Sequence, residues 1–183
     1  MYRLFVAIDL PDEVKNAVDG IVGRDLTGAR RVPREQLHLT LRFIGDGDEQ
    51  MFQAVKKELA TVSGTPFPLT IKGVGHFPPK REPRVIWVGM EESGQLHDLQ
   101  RRIEQSLINA GIAADERRFS PHITIARLRE TPLAKVTSLE EMHREFTAGP
   151  FTVEEFYLYS SNLTREGAIH RREAEFRLEP ATP

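Results

Sequence analysis

Two tetrapeptides of this 183-residue chain follow one pattern: His38-Leu39-Thr40-Leu41 and His122-Ile123-Thr124-Ile125. In an extended strand alternate side chains share a face, so each presents its imidazole and hydroxyl on one side and its aliphatic residues on the other. The hydroxyl then projects about 6–7 Å along the strand from the imidazole. Unperturbed histidine titrates at about 6.5, so two imidazoles in different surroundings can supply a base and an acid at neutral pH. With two threonine hydroxyls to hold non-bridging oxygens, this set suits cleavage of a phosphodiester and requires no metal. One such strand alone usually reads as a half-exposed sheet face, with threonine present for its strand preference. The duplication, within matching flanking elements, points to two imidazoles facing one cleft.

Other chemistries fit less well. Hydrolytic zinc sites usually take three protein ligands, often at close helical spacing. Here there is no His-x-x-x-His, no His-x-His, and no acidic residue beside either motif on the same face. A Gly-x-Ser-x-Gly elbow, a P-loop and a Gly-rich dinucleotide fingerprint are all missing. Around the motifs, Arg42 shares the His38/Thr40 face in a regular strand, about 13 Å from His38. Arg127 falls on the opposite parity to His122, and only a bulge or strand end would turn it toward a phosphate. Phe43, His76, Phe77 and Phe119 are candidate contacts for a base.

Alternation over Tyr2–Leu10 predicts a strand, and Pro11 suits the first turn of a helix with the stripe Val14, Ala17, Val18, Ile21 and Val22. Basic loop residues, including Arg30, Arg31 and Arg34, lead to the strand Gln36–Ile44, which ends at Gly45-Asp46-Gly47. Asp48 caps a second helix with the stripe Phe52, Val55, Leu59 and Val62. Strands Leu69–Val74 and Arg84–Met90 follow, separated by a loop. Ser93 caps a third helix with the stripe Leu96, Leu99, Ile103 and Leu107, which stops at Gly111. Then come a basic segment with Arg117 and Arg118, the strand His122–Leu128, and a weaker helix from Pro132 to about Glu145. Strands Thr152–Ser160 and Arg172–Leu178 complete the chain.

Each half thus reads strand, helix, His-bearing strand, helix, strand. The fold class is α+β: bilobal with pseudo-twofold symmetry, two mostly antiparallel sheets lining a central cleft, helices on the outer faces. No linker or composition shift separates the halves, so residues 1–183 are expected to form a single bilobal domain.

A net charge of −2 argues against a general polyanion binder, because long duplexes are held by many cationic contacts. A small nucleotide or an RNA end needs only a local positive pocket. The absence of cysteine excludes disulfides, thiolate metal sites and a Cys nucleophile. The short apolar start, interrupted at Asp9, lacks the basic beginning of a signal peptide, and no apolar stretch is long enough to span a bilayer. The expectation is a cytoplasmic protein with no membrane contact, no evident obligate protein partner, and a monomeric state.

The extended motifs carry a family resemblance. They are Phe5-Val6-Ala7-Ile8, Leu37-His38-Leu39-Thr40-Leu41-Arg42-Phe43-Ile44-Gly45, Pro83-Arg84-Val85-Ile86-Trp87-Val88-Gly89, and Phe119-Ser120-Pro121-His122-Ile123-Thr124-Ile125-Ala126-Arg127. In this order they resemble the 2H phosphoesterases, and most closely the bacterial and archaeal RNA 2′,3′-cyclic phosphodiesterases, also called 2′-5′ RNA ligases. The resemblance implies an enzyme that hydrolyses a terminal 2′,3′-cyclic phosphate of RNA to a 2′-phosphate, with no cofactor. It implies His38 as the acid protonating the leaving 3′ oxygen and His122 as the base activating water. Thr40 and Thr124 would bind the phosphate, and Arg127 stands where members of the family often carry an arginine. Arg42, Phe43 and Phe119 are further candidate substrate contacts by their positions beside the motifs. It also implies reversible 2′-5′ ligation of RNA halves. Two alternatives stay open: another small 2′-5′ or cyclic phosphodiester as substrate, or a nucleotide- or RNA-end-binding module without turnover.

Overall fold

A computed structural model describes residues 1–181. Its elements in chain order are β1 (Tyr2–Asp9), α1 (Asp12–Asp19), β2 (Ala29–Arg31), β3 (His38–Gly47), α2 (Glu49–Leu59), β4 (Phe67–Phe77), β5 (Val85–Met90), α3 (Gly94–Asn109), β6 (Ile123–Leu128), α4 (Leu133–Met142), β7 (Thr147–Val153), β8 (Glu155–Thr164) and β9 (Gly167–Arg177). The predicted helix signals act locally as expected. Asp48 accepts the Met51 amide at 2.9 Å, and Ser93 accepts that of Leu96 at 3.1 Å. After α3, Gly111 turns the chain at φ +95°, a left-handed conformation that glycine adopts without penalty.

The strands form two antiparallel sheets, ordered β3-β1-β8-β9 and β2-β6-β5-β4-β7. The predicted two-sheet α+β architecture is present, but the sheets are not the two halves of the sequence. One repeat runs β1-α1-β3-α2-β4 and the other β5-α3-β6-α4-β8. The last strand of each crosses over to lie beside the first strand of the other: β4 against β5, β8 against β1. The crossing accounts for a difference from the sequence reading, which takes Thr152–Ser160 as one strand. The chain leaves the five-stranded sheet after Val153, buried against the β4 partner Phe67, and enters the four-stranded sheet at Glu155. The three-residue strand β2 is too short to show a period and reads as loop in the sequence.

One contiguous cluster of buried side chains joins the sheets. It takes Leu4, Val6 and Ile8 from β1, Leu39 and Leu41 from β3, Ile71 from β4, Ile86 and Val88 from β5, and Ile123 and Ile125 from β6. The helix stripes Val14/Val18, Phe52/Val55/Leu59 and Leu96/Leu99/Ile103/Leu107 close over it. A separate small cluster of Phe5, Ala7, Tyr157 and Tyr159 covers the opposite face of the four-stranded sheet. That second face carries His38.

Candidate active site

His38 opens β3 and His122 immediately precedes β6, and these two motif strands come within 8 Å of one another between Cα atoms. Within each motif the aliphatic residues Leu39, Leu41, Ile123 and Ile125 are buried in the shared core, while His and Thr occupy the other face. The two imidazoles are held identically. His38 Nδ1 lies 2.6 Å from the Gln36 carbonyl oxygen, and His122 Nδ1 lies 2.8 Å from that of Ser120. A carbonyl only accepts, so in both rings Nδ1 carries the hydrogen and Nε2 is left with its lone pair for chemistry.

Each histidine also has an aromatic neighbour supplied by the strand that crossed over. Tyr159 of β8 lies 6.2 Å from the His38 ring, and Phe77 of β4 lies edge-on to His122 at 5.2 Å. These two rings occupy corresponding positions, since Tyr159 pairs with Phe5 and Phe77 with Val85 on the strands next to the motifs. The strand exchange therefore completes each half of the cleft with an aromatic wall from the other repeat.

Beyond the threonines both motif strands bulge at the same place. Ala7 faces Thr40 but Val6 faces Arg42, leaving Leu41 as the extra residue. Trp87 faces Thr124 but Ile86 faces Ala126, leaving Ile125 as the extra residue. A bulge places two consecutive side chains on one face and restores the alternation one residue late. Arg42 therefore turns to the helix side, contrary to the face expected from a regular strand, and is only 8% exposed. There it donates to Glu104 of α3 at 2.6 Å, to the Ala113 carbonyl at 2.6 Å and to the carbonyl of Phe43. The same device turns Arg127 to the face of Thr124, across from Val85, with its guanidinium exposed. Its equivalent in the first repeat is Phe43, which shares the His38 face and is 60% exposed.

The other predicted contacts divide. Phe119 packs on the main core and edge-on against His97 of α3 at 5.5 Å, so the structure spends its ring on packing. His76 lies on the helix side of β4, where its Nδ1 pairs with Glu140 of α4. Sequence reasoning did not single out Phe5, Tyr159, His170 or Arg172, which surround His38. Phe5 stacks on Tyr159 at 5.1 Å, and His170 stands perpendicular to His38 at 5.1 Å. Arg172 donates to Asp9, lies 3.9 Å over the Tyr157 ring, and shares Asp9 with Lys15 at 2.9 Å. A cavity of about 260 Å³ opens among Asp9, Gln36, His38, Tyr159, His170 and Arg172. The one available signal was alternation in β8, where Tyr157 and Tyr159 mark the face opposite Phe156 and Leu158.

Burial among these rings lowers the His38 pKa to about 4, outweighing the Gln36 carbonyl that favours its charged form. His170 is lowered as well, first by burial and then by the positive charge of Arg127. At neutral pH the His38 imidazole is therefore held uncharged by its surroundings. No three His, Cys, Asp or Glu side chains are grouped as a metal site among the described residues. No helix among them is long and apolar enough to cross a membrane.

Comparison with known proteins follows the same lines. The family model of the 2′-5′ RNA ligase superfamily matches residues 10–165. The RNA 2′,3′-cyclic phosphodiesterase of Thermotoga maritima is 36% identical, over 92% of this chain and 91% of that protein. That of Archaeoglobus fulgidus is 33% identical, over 92% and 96%. Among solved structures, TT0787 of Thermus thermophilus superimposes with a TM-score of 0.78 at 30% identity, over 98% of this chain and all of that one. The E. coli LigT complex with 3′-AMP gives 0.75 at 26% identity, over 97% and 98%.

Proposed function

The chain belongs to the 2′-5′ RNA ligase superfamily, and from that premise we propose that it hydrolyses the 2′,3′-cyclic phosphate at an RNA 3′ end to a 2′-phosphate, without a metal ion. The observation that carries this reading is the pair of neighbouring His-x-Thr strands, each imidazole fixed through Nδ1 and free at Nε2. In the proposed reaction His122 Nε2 takes a proton from water as its oxygen bonds to phosphorus. The bond from phosphorus to the 3′ oxygen breaks, and His38 Nε2–H protonates that oxygen, leaving the phosphate on the 2′ oxygen. Thr40 and Thr124 donate to the non-bridging oxygens, and Arg127 supplies a positive charge on their face. Phe43 offers an exposed ring for the base. A sugar hydroxyl in place of water would give 2′-5′ ligation by the same proton transfers.

The acid role requires His38 to carry a proton that burial alone disfavours at neutral pH. Holding a group with a pKa of about 4 protonated at neutral pH costs about 4 kcal/mol. A bound phosphodiester places a negative charge beside Nε2 and opposes that cost. Incubating a short RNA that ends in a 2′,3′-cyclic phosphate, in excess EDTA, tests the proposal. Accumulation of the 2′-phosphate is expected; a 3′-phosphate product, or turnover abolished by the chelator, would overturn it.

A further inference from the structure

Of the five clustered arginines near the motifs, three are engaged by groups of this chain, and Arg118 lies in the irregular segment before β6. Arg31 binds Asp19 at 3.0 Å, Arg34 binds Asn16 at 2.6 Å and Asp12 at 3.1 Å, and Arg117 binds Asp115 at 3.0 Å. Arg30 is different. It sits on β2 directly opposite Arg127 of β6, and the neighbours of both, Ala29, Arg31, Ala126 and Leu128, turn to the other face. Like charges directly opposed on adjacent strands are destabilising unless something neutralises them. Neither arginine has a carboxylate within 4.0 Å among the described residues, and both are exposed.

The pair is also directed at the cleft. Arg127 is close enough to His170 to depress its titration, and His170 stands against His38. The Arg30 guanidinium lies against the turn between β8 and β9, where a Cβ on Gly167 would meet its Nη2 at 3.2 Å. The two guanidiniums thus reach from the edge of the five-stranded sheet to the hairpin of the other sheet. After the Ile125 bulge, Arg127 is the next residue beyond Thr124 on the cleft face, about 6–7 Å along the strand. Arg30 lies one strand further out, about 4.8 Å away.

We propose that Arg30, opposed to Arg127 at this mouth, binds the phosphate on the 5′ side of the terminal nucleoside, so that the site recognises an RNA end over a free nucleoside cyclic phosphate. The inference rests on the cyclic phosphodiesterase reading for which phosphate occupies the threonines. The overall acidity of the chain is consistent with it, because the interaction engages one backbone phosphate rather than a duplex.

The test compares adenosine 2′,3′-cyclic phosphate with the same molecule carrying a 5′-phosphate, on wild type and on Arg30→Gln. In wild type the 5′-phosphate should raise kcat/KM about tenfold, the scale of one charge-assisted contact. In Arg30→Gln the two substrates should be used equally, at the wild-type rate for the unphosphorylated one. The salt dependence of KM for the phosphorylated substrate should also weaken in Arg30→Gln, because one screened ion-pairing contact is lost. A wild type indifferent to the 5′-phosphate, or a variant that keeps the preference, would overturn the proposal. Calorimetric titration with the two corresponding 2′-phosphates decides the matter separately from turnover. A 5′-phosphate preference that depends on Arg30 without any hydrolysis would sustain this subsite and sink the hydrolytic reading instead.

Discussion

His38 and His122 share one hydrogen-bonding scheme but not one environment, and the difference is measurable. His38 resists charging in the folded state, so the unfolded chain binds more protons between its ordinary value near 6.5 and its folded value of about 4. Stability from this residue is fully present above that window and is lost as pH falls through it, by up to about 3 kcal/mol. Urea melts of wild type and His38→Gln from pH 7 to pH 4 should show a slope in the first that is reduced in the second. Kinetics should carry the same mark. The acidic limb of kcat/KM, which reports the free enzyme, should lie near pH 4, and that of kcat should move upward because bound phosphate favours the charged imidazole. Coincident limbs would mean that the substrate anion does not touch His38. The division of labour between the histidines is tested with a p-nitrophenyl phosphodiester, whose leaving group needs no proton. His38→Ala should keep much of its activity on it and His122→Ala should not.

Among the elements, the twin bulges at Leu41 and Ile125 decide what each motif strand offers the cleft. Side-chain alternation made the His/Thr faces readable because the motifs precede the bulges. It failed for Arg42 because a bulge inserts a residue without changing the run of apolar positions. Arg127 was legible only conditionally, as a residue that a bulge would turn inward. Phe119 is ambiguous for another reason: an aromatic next to a motif looks the same in sequence whether it faces ligand or, as its ring does here, His97 of α3. The two arginines should now separate by assay. Arg42→Met leaves Glu104 partly buried without its partner and should cost about 3 kcal/mol of stability, with little change in kcat/KM of the folded enzyme. Restoring the balance with Glu104→Leu should recover stability. Arg127→Ala should do the reverse, melting like wild type while KM rises. Equal kinetic damage from both would contradict the assignment of faces.

Over the whole molecule, the architecture was readable as a repeat of strand, helix, His-bearing strand, helix, strand, because each stripe and cap is local. The exchange of β4 and β8 between sheets was not, since nothing in a strand's own residues says which neighbour it will pair. That exchange gives each histidine its aromatic wall from the other repeat and runs one core through both sheets. The two sheets should therefore unfold together. Fluorescence of Trp87, the only tryptophan, reports the five-stranded sheet, and far-UV circular dichroism reports both. Coincident melting curves are expected, whereas two separated transitions would show that the lobes fold independently. The central claim is that one site works with two imidazoles. Its most direct test is single-turnover cleavage of a cyclic-phosphate-ended RNA, in EDTA, by wild type, His38→Ala, His122→Ala and the double variant. Each single change should slow 2′-phosphate formation by about 10²–10⁴ in a protein that still melts cooperatively, and the double change should add little more. A single variant that keeps the wild-type rate would contradict the account.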